Sequence, residues 1–341
     1  MRFTRRRVLT ILGAFAGAPL PGGDGRRQEL LPVLYEWNGT ALGSPARLML
    51  CHPNRAAAER IVARCAGEIE RLERIFALYR EDSEVARLNR EGRIEAPSHD
   101  LLLVLSECQR LSALTSGAFD VTVQPLWNLY ASHFFGRRPP TPDGPPADVV
   151  ATALALVNWC GIDISARQVV LARPGMSLTF NGIAQGYVTD RMIGILREAT
   201  FDRILADLGR SELYAIGRHP DGRPWRVGLA DPRQPENLAT TLDLRDSSLC
   251  TSGGYGTKFE TSGKFHHLFD TGTGASARHY VAVSVFAPSA MIADALSTAL
   301  YVTPPERGLK VLASYEGVSA LVTLADGTVR HLSAARTRLP G

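Results

Sequence analysis

The sequence predicts an α/β (α+β) fold in which a mixed or antiparallel sheet carries helices, and three observations lead to this prediction. The segment from Leu31 to Leu50 has the character of strands, interrupted at Gly39 and at Leu42-Gly43-Ser44. Residues Arg55–Phe76 repeat apolar side chains at steps of three and four, the period of an amphipathic helix. The second half of the chain is rich in strand-forming segments.

Four further segments complete the first half. Ser83 is placed to cap a second helix that runs through Asn89. The stretch His99–Leu114 is typical of another helix, and Ala118–Val123 alternates as a strand that ends at Gln124-Pro125. The segment from Arg137 to Asp148 holds five prolines and a glycine. It is therefore predicted to be an exposed loop rather than a linker between domains.

The second half opens with a glycine-rich turn between a strand and a helix. Val169–Leu171 and Ser177–Phe180 flank a Pro-Gly turn and are predicted to form a hairpin. The glycine turn Asn181–Tyr187 follows, and a helix is predicted over Val188–Arg197. Strand, glycine turn and helix together can offer backbone N–H groups to phosphate. The G-x-x-x-G spacing fits tight packing equally well, because it matches neither a dinucleotide-binding fingerprint nor a P-loop.

The charge balance indicates no nucleic-acid surface. The chain has 341 residues, with 38 basic and 34 acidic side chains. The whole excess of +4 is accounted for by four arginines in the first seven residues, Arg2, Arg5, Arg6 and Arg7. The remainder is neutral, and it contains no motif of a nucleic-acid-binding module.

The N-terminus resembles a twin-arginine export signal. Thr4–Thr10 contains the S/T-R-R-x-hydrophobic-Leu pattern, and a short apolar run to Leu20 follows. We expect a cleaved signal over residues 1–18, a flexible linker over 19–30, and one domain over 31–335 in the periplasm. The alternative is a basic tail beside a short apolar helix. The leader has no lipobox cysteine, so we do not expect a lipoprotein, and no later segment is apolar enough to span a membrane.

The residues that carry chemistry concentrate between Ser247 and Leu300. Asp294 and Thr298 stand one helical turn apart in an apolar helix, which places a carboxylate and a hydroxyl on one face. Such oxygen ligands suit Mg²⁺, and we expect Asp294 to be an exposed ligand that contributes little to core packing. Alternatively, the two side chains cap, bond back to the helix or face solvent.

A pair of histidines precedes this helix. His266 and His267 alternate across a predicted strand, so one can face a given site and the other is expected at the surface. A histidine near a metal can deprotonate a hydroxyl group. The residues by themselves therefore favour phosphoryl-type transfer on a nucleotide.

Eight motifs in a fixed order resemble the FAD:protein FMN transferases of the ApbE type, from about Tyr35 to Leu300. In chain order they are Leu42-Gly43-Ser44, Tyr79–Asn89, Ser116–Leu126, Phe180–Tyr187, Pro224–Gly228, Thr251–Gly253, His267–Asp270 and Ala293–Thr298. The leader is similar to the twin-arginine-exported branch of the family, which serves flavoproteins of nitrous oxide respiration.

This resemblance implies Mg²⁺-dependent transfer of FMN from FAD to a Thr or Ser hydroxyl of a target flavoprotein, with release of AMP. It implies Mg²⁺ ligation by Ala184 (through its carbonyl), Asp294 and Thr298, and it implies that His267 is the general base. It also implies that the nucleotide lies between two lobes. The implied contacts of the flavin nucleotide are Tyr79, Asn181, Gly182, Ile183, Gln185, Thr251 and Ser252. The acceptor implied for this branch is a membrane electron-transfer subunit.

The sequence departs from the family pattern at three places. The lysine of the family signature is Gln185 here, the Pro-Arg pair after H-I-I-D is Thr271-Gly272, and a glycine pair is Gly209-Arg210. These departures surround the nucleotide site and spare His267 and the metal ligands. Two other functions remain open, a periplasmic FAD-binding protein without transfer activity and a Mg²⁺-dependent FAD pyrophosphatase that yields FMN and AMP.

Overall fold

The computed structural model of the protein describes residues 33–209, 211–234 and 236–333. The predicted export signal and linker, residues 1–30, lie outside the described residues, as does Arg210. No helix within the described part of the chain is long and apolar enough to cross a membrane.

Thirteen strands and eight α-helices make up this described part. The strands are β1 (Val33–Ala41), β2 (Ser44–His52), β3 (Arg93–Glu95), β4 (Ile162–Ile164), β5 (Gln168–Leu171), β6 (Ile204–Leu208), β7 (Glu212–Ile216), β8 (Trp225–Ala230), β9 (Leu238–Leu244), β10 (Ser247–Gly253), β11 (Ala282–Ala287), β12 (Ser319–Thr323) and β13 (Val329–Ser333). The helices are α1 (Arg55–Phe76), α2 (Glu84–Glu91), α3 (His99–Leu114), α4 (Gln124–Phe135), α5 (Ala147–Leu154), α6 (Ala184–Glu198), α7 (Ala290–Val302) and α8 (Pro305–Ala313).

An eight-stranded sheet forms the centre of the fold. Its strand order is β1-β2-β6-β7-β10-β11-β12-β13, and every neighbouring pair is antiparallel. Two smaller antiparallel sheets, β3-β5-β4 and β8-β9, complete the strand pairing. The predicted α/β (α+β) fold is therefore confirmed. The sheet, which was predicted to be mixed or antiparallel, is antiparallel.

Helices α1, α6 and α7 pack with this sheet to form the main core. Helix α7 contacts β10 and β11, while α6 contacts both α7 and α1. A separate cluster of apolar side chains, here called the aromatic cluster, joins α4 to the loop before β11; its buried members are Leu126, Tyr130, Phe259, Phe265 and Phe269.

The predicted helices of the first half are confirmed. Helix α1 occupies the predicted Arg55–Phe76, and α3 the predicted His99–Leu114. The Ser83 side chain accepts a hydrogen bond from the Ala86 N–H, so it caps α2 as expected. Periodicity and caps are local signals, which is why they located these helices well.

The strand predicted over Ala118–Val123 is wrong. Residues Val121–Val123 form a 3₁₀ turn that leads directly into α4, and Pro125 lies in the first turn of that helix. The Asp120 carboxylate accepts hydrogen bonds from the Thr122 N–H and hydroxyl at 2.8 and 2.6 Å. This side chain closes the turn that alternating hydrophobicity could not reveal.

The hairpin predicted between Val169–Leu171 and Ser177–Phe180 is also wrong. Strand β5 pairs with β3 and β4 instead. Residues 177–180 form no strand because the Asn89 side chain donates to the Leu178 carbonyl at 2.8 Å and accepts from the Leu178 N–H at 2.6 Å. A side-chain amide from α2 thus supplies the bonds that a strand partner would have made. Residues 137–143 of the proline-rich segment are exposed as predicted, but Gly144 is buried and Pro145 is half-buried before α5 begins at Ala147.

Close contact between α6 and α7 depends on Gly186. A Cβ atom there would lie 2.3 Å from the Ala290 carbonyl oxygen and 2.7 Å from the Asp294 Cβ atom. Both neighbours belong to the body of α7, so they cannot move aside cheaply. The glycines of the G-x-x-x-G turn thus serve tight packing in this fold.

We predict that Gly186→Ala lowers the free energy of unfolding by about 1–3 kcal/mol, the usual cost of overpacking. Gly194→Ala is the matched control, because it lies in the same helix and a Cβ there would meet nothing within 4 Å. It should stabilise the protein by about 0.5–1 kcal/mol, since alanine favours a helix over glycine. Urea unfolding of both variants measures the difference, and equal stability of the two would contradict the packing argument.

Candidate active site

A cavity brings together residues from the main sheet, from α6 and α7, and from the aromatic cluster. Its lining residues lie within 42–45, 118–127, 179–185, 251–257, 267–269 and 294–302, together with residues 209, 211 and 212. Apolar and aromatic surface comes from side chains such as Phe119, Trp127 and Phe269. Hydroxyls and carboxylates line the same cavity, so it suits a ligand with both an aromatic and a polar part.

Asp294 and Thr298 both line this cavity from α7. The expectation that Asp294 is exposed is wrong, because only 3% of the residue is accessible. Its Oδ2 atom accepts a hydrogen bond from the Gly186 N–H at 2.9 Å. Burial raises the pKa of Asp294 to about 7, and the carboxylate of Asp190 adds to this effect. The hydrogen bond from the Gly186 N–H acts in the opposite direction and lowers the pKa.

Thr298 lies against the glycine turn and against β10. A Cβ atom on Gly182 would be 2.9 Å from the Thr298 Oγ1 atom, so only glycine leaves room for this hydroxyl. The Thr298 Oγ1 atom is also 3.0 Å from the Ser252 Oγ atom. The turn before α6, the end of β10 and α7 therefore meet at one hydroxyl group.

The oxygen atoms at this point suit a hard cation. A buried carboxylate faces the cavity beside a hydroxyl, and the cavity residues that the structure describes include no lysine or arginine to neutralise it. Mg²⁺ accepts one or two carboxylates and completes its shell with other oxygens. Within 33–209, 211–234 and 236–333 no group of three His, Cys, Asp or Glu side chains forms a metal site. The donor set therefore fits a cation that is shared with substrate oxygens.

Asp190, on α6, holds the beginning of the helix that carries Asp294 and Thr298. Its carboxylate accepts from the Ser289 hydroxyl at 2.6 Å and from the N–H groups of Ala290 and Met291 at 2.8 and 3.0 Å. A carboxylate at a helix N-terminus satisfies N–H groups that have no partner within the helix. Burial raises the pKa of Asp190, which these bonds partly oppose.

His267 lines the cavity, and its hydrogen bond defines its tautomer. The Nδ1 atom lies 3.2 Å from the Thr257 carbonyl oxygen. A carbonyl oxygen only accepts, so in the neutral ring Nδ1 carries the proton and donates it. Nε2 is then the nitrogen with a lone pair, which is the form that a general base requires.

The expectation that the other histidine lies at the surface is wrong. His266 is only 5% accessible, and the pair lies in a segment with isolated bridges rather than a strand. The His266 Nε2 atom donates to the Ala277 carbonyl at 3.0 Å, and Nδ1 accepts from the Leu268 N–H at 3.3 Å. Both ring nitrogens are used inside the protein. His266 is therefore part of the scaffold, with the opposite tautomer to His267.

Comparison with known proteins now identifies the family. The profile of the ApbE family matches residues 42–322. The chain belongs to the ApbE family. It is 30% identical to an FAD:protein FMN transferase of Haemophilus influenzae, over 77% of this chain and 79% of that protein. It is 32% identical to one of Vibrio cholerae, over 76% and 78%.

Solved ApbE structures share the fold. The flavin transferase ApbE of Vibrio cholerae superposes with a TM-score of 0.76 at 25% identity, covering 89% of this chain and 98% of that one. The apo flavinyl transferase ApbE of Pseudomonas stutzeri gives 0.76 at 28% identity, covering 90% and 97%. The predicted family, fold and class of enzyme, a transferase, are confirmed. Membership of the twin-arginine-exported branch stays a prediction.

Most of the residues that the ApbE resemblance assigns to the flavin nucleotide line the cavity. The six that do are Asn181, Gly182, Ile183, Gln185, Thr251 and Ser252. Tyr79 is not among the lining residues; it is 60% accessible, and its ring lies against Gly43 in the turn after β1. Ala184 is the buried first residue of α6, next to the lining residue Gln185, and is not itself part of the lining.

Two departures from the ApbE pattern make defined contacts. The Gln185 Nε2 atom donates to the Ala41 carbonyl at 3.2 Å, which ties α6 to the first hairpin. The Thr271 hydroxyl donates to the Gly117 carbonyl at 2.7 Å, which holds the segment after His267 against the end of α3. Both residues therefore support the shape of the site.

Several cavity residues could not be predicted from the sequence. Asp120, Trp127, Glu212 and Thr257 all line the cavity. Asp120 stands in a quoted motif, yet its predicted place in a strand concealed its turn-closing role. Thr257 acts through its backbone carbonyl, which no side-chain pattern can indicate. Trp127 and Glu212 carried no signal beyond their residue type.

We predict an acid-dependent loss of stability caused by His266. Burial lowers its pKa from 6.5 to about 4, so between these pH values the unfolded chain binds a proton that the folded protein excludes. The free energy of unfolding should therefore fall by about 3 kcal/mol as the pH drops from 6.5 to 4, and recover above 6.5.

Urea unfolding between pH 7 and pH 4.5 tests this assignment. His266→Gln keeps a donor for Ala277 but does not titrate, so it should have a shallower pH dependence than the natural protein. His331→Gln removes an exposed histidine and is the matched control. The assignment is wrong if the two variants show the same pH dependence.

Proposed function

We propose that this protein transfers FMN from FAD to a Thr or Ser hydroxyl of a target flavoprotein, in a Mg²⁺-dependent reaction that releases AMP. The observation that carries the proposal is that one cavity contains the Asp294–Thr298 pair together with His267. Membership of the ApbE family supports it, because its relatives are named FAD:protein FMN transferase.

In the proposed step, a hydroxyl oxygen of the target attacks the phosphorus atom of the FMN half of FAD. The P–O bond to AMP breaks, and AMP leaves with the bridging oxygen and its electron pair. The hydroxyl proton passes to the Nε2 atom of His267. The Thr257 carbonyl favours this role because its bond to Nδ1 fixes the ring in the tautomer whose Nε2 accepts.

Asp294 and Thr298 would hold the cation through carboxylate and hydroxyl oxygens, with the backbone carbonyl of Ala184 as the third ligand that the family resemblance implies. A bound Mg²⁺ supplies positive charge that stabilises the phosphates of the transferring and leaving groups. The Gly186 N–H keeps the Asp294 carboxylate in place, and Gly182 leaves room for Thr298. These contacts arrange the ligands before any substrate binds, which lowers the reorganisation that binding requires.

We further propose that the protein acts after export. The motif Thr4–Thr10 supports the twin-arginine route to the periplasm. The acceptor proposed for this location is a membrane electron-transfer subunit with an exposed Thr or Ser.

We predict that His267→Ala loses about 10²–10⁴-fold in FMN transfer, the usual contribution of a general base, while FAD still binds. His266→Gln is the matched control, because it changes the adjacent histidine outside the cavity lining. Intact mass of a candidate acceptor measures transfer in the presence of Mg²⁺, and flavin fluorescence measures FAD binding.

Three outcomes would redirect the proposal. Equal and small losses in both variants would remove the catalytic role of His267 and favour a flavin-binding protein. FMN and AMP formed with no gain of acceptor mass would identify a pyrophosphatase. Loss of FAD binding in His267→Ala would make this residue part of the nucleotide pocket instead.

Export gives an independent prediction. Replacing Arg5 and Arg6 together by lysine should leave the precursor in the cytoplasm, because the twin-arginine machinery recognises that pair. Immunoblots of periplasmic and cytoplasmic fractions measure the distribution, with Arg2→Lys as the control outside the pair. Normal periplasmic accumulation of the double variant would contradict the twin-arginine route.

A further inference from the structure

The orientation of one proton decides whether Thr298 can bind a cation. A hydroxyl has one proton and two lone pairs, and only a lone pair can face a positive ion. Thr298 is partly accessible and lines the cavity, so its proton could point either into the cavity or away from it. The neighbouring hydroxyls determine which arrangement is satisfied.

Three hydroxyl groups at the wall of the cavity form a row of hydrogen bonds that ends at a backbone carbonyl. The Ser297 Oγ atom is 2.8 Å from the Asp294 carbonyl oxygen, and the Ser252 Oγ atom is 2.7 Å from the Ser297 Oγ atom. Ser252 is in turn 3.0 Å from the Thr298 Oγ1 atom. Ser297 is completely buried in α7 and does not line the cavity.

The carbonyl gives this row a direction. Because a carbonyl oxygen cannot donate, the Ser297 hydroxyl must donate its proton to the backbone carbonyl of Asp294. The contact between Ser252 and Ser297 must then use the proton of Ser252. Thr298 is left as the donor in its own contact with Ser252, so its proton points at the Ser252 Oγ atom.

We infer that Ser252 and Ser297 are positioning residues, which hold the proton of Thr298 on Ser252 and so leave the Thr298 lone pairs for a bound divalent cation. The inference rests on the metal site of the proposed function. It assigns a role to Ser297, a residue outside the cavity lining. It also gives the serine of the T-S-G segment a task other than contact with FAD.

Removing either serine should release this constraint. In Ser297→Ala, Ser252 keeps a free proton and can donate it to Thr298, which occupies a lone pair and turns the Thr298 proton toward the cation. In Ser252→Ala, the proton of Thr298 loses its acceptor. Once Ser252 is absent, Ser297 has no path to Thr298, so the second substitution should have no further effect. Two independent packing losses would instead combine.

The test measures Mn²⁺ binding to the full-length protein with FAD bound, from the electron paramagnetic resonance signal of free Mn²⁺, and FAD alone is the blank. The variants are Ser252→Ala, Ser297→Ala, their double variant, and Thr298→Val, which removes the hydroxyl ligand at nearly constant shape. Ser112→Ala is the matched control, because Ser112 is also completely buried and also donates to a carbonyl of its own helix, that of Cys108. Thermal unfolding of each variant verifies that it is folded.

We expect each single serine variant to bind Mn²⁺ about ten- to a hundred-fold more weakly, as is usual for residues that orient a metal ligand. The double variant should match Ser252→Ala to within about twofold, and Ser112→Ala should bind as the natural protein does. In Ser297→Ala, whose altered residue lies outside the cavity lining, the Mg²⁺ concentration for half-maximal transfer should rise while the KM for FAD stays constant.

The inference would be overturned, with the proposed function left intact, by either of two results. One is a Mn²⁺ affinity of Ser297→Ala equal to that of the natural protein, and the other is a loss of Mn²⁺ affinity in the double variant equal to the product of the two single losses. If the natural protein and Thr298→Val bind Mn²⁺ equally, or if neither binds it, the metal site of the proposed function is wrong and the inference fails with it.

Discussion

The contact between α6 and α7 is the constraint on which the rest of the site depends. The Gly186 N–H of α6 donates to the Asp294 carboxylate of α7, and Asp190 of α6 accepts from the first N–H groups of α7. Each helix thus satisfies polar groups of the other where they are buried together. This reciprocal bonding requires an approach that no Cβ atom at position 186 would permit. The positions of Asp294 and Thr298 follow from it.

Two carboxylates of the site, those of Asp294 and Asp120, accept hydrogen bonds from neutral backbone groups. Asp294 accepts from one backbone N–H, and Asp120 from those of Thr122 and Trp159. Burial raises the pKa of both acids, because hydrogen bonds recover only part of the hydration that a buried carboxylate loses. A divalent cation would relieve this cost at Asp294, so cation binding and ionisation of this acid favour each other.

The histidine pair shows how position alone separates two identical side chains. His266 and His267 are adjacent, yet each ring bonds to a different carbonyl oxygen through a different nitrogen. The result is a buried scaffold residue beside a ring in the cavity. A motif identifies the pair, but only the surrounding carbonyl groups determine which nitrogen of each ring carries the proton.

The sequence by itself determined the family, the helices α1 to α3, and the selection of His267, Asp294 and Thr298 as cavity residues. These features depend on motifs, helical periodicity and caps, which are signals between residues close together in the chain. It wrongly predicted strands at residues 118–123 and 177–180. It also could not determine that Asp294 and His266 are buried, or which hydroxyl donates in each hydrogen bond at Ser252. Those depend on partners far apart in the chain. Asn89 and Leu178 are 89 positions apart, and Gly186 and Asp294 are 108 apart. A polar group in this fold takes whichever partner packing brings near, so tertiary structure decided its role.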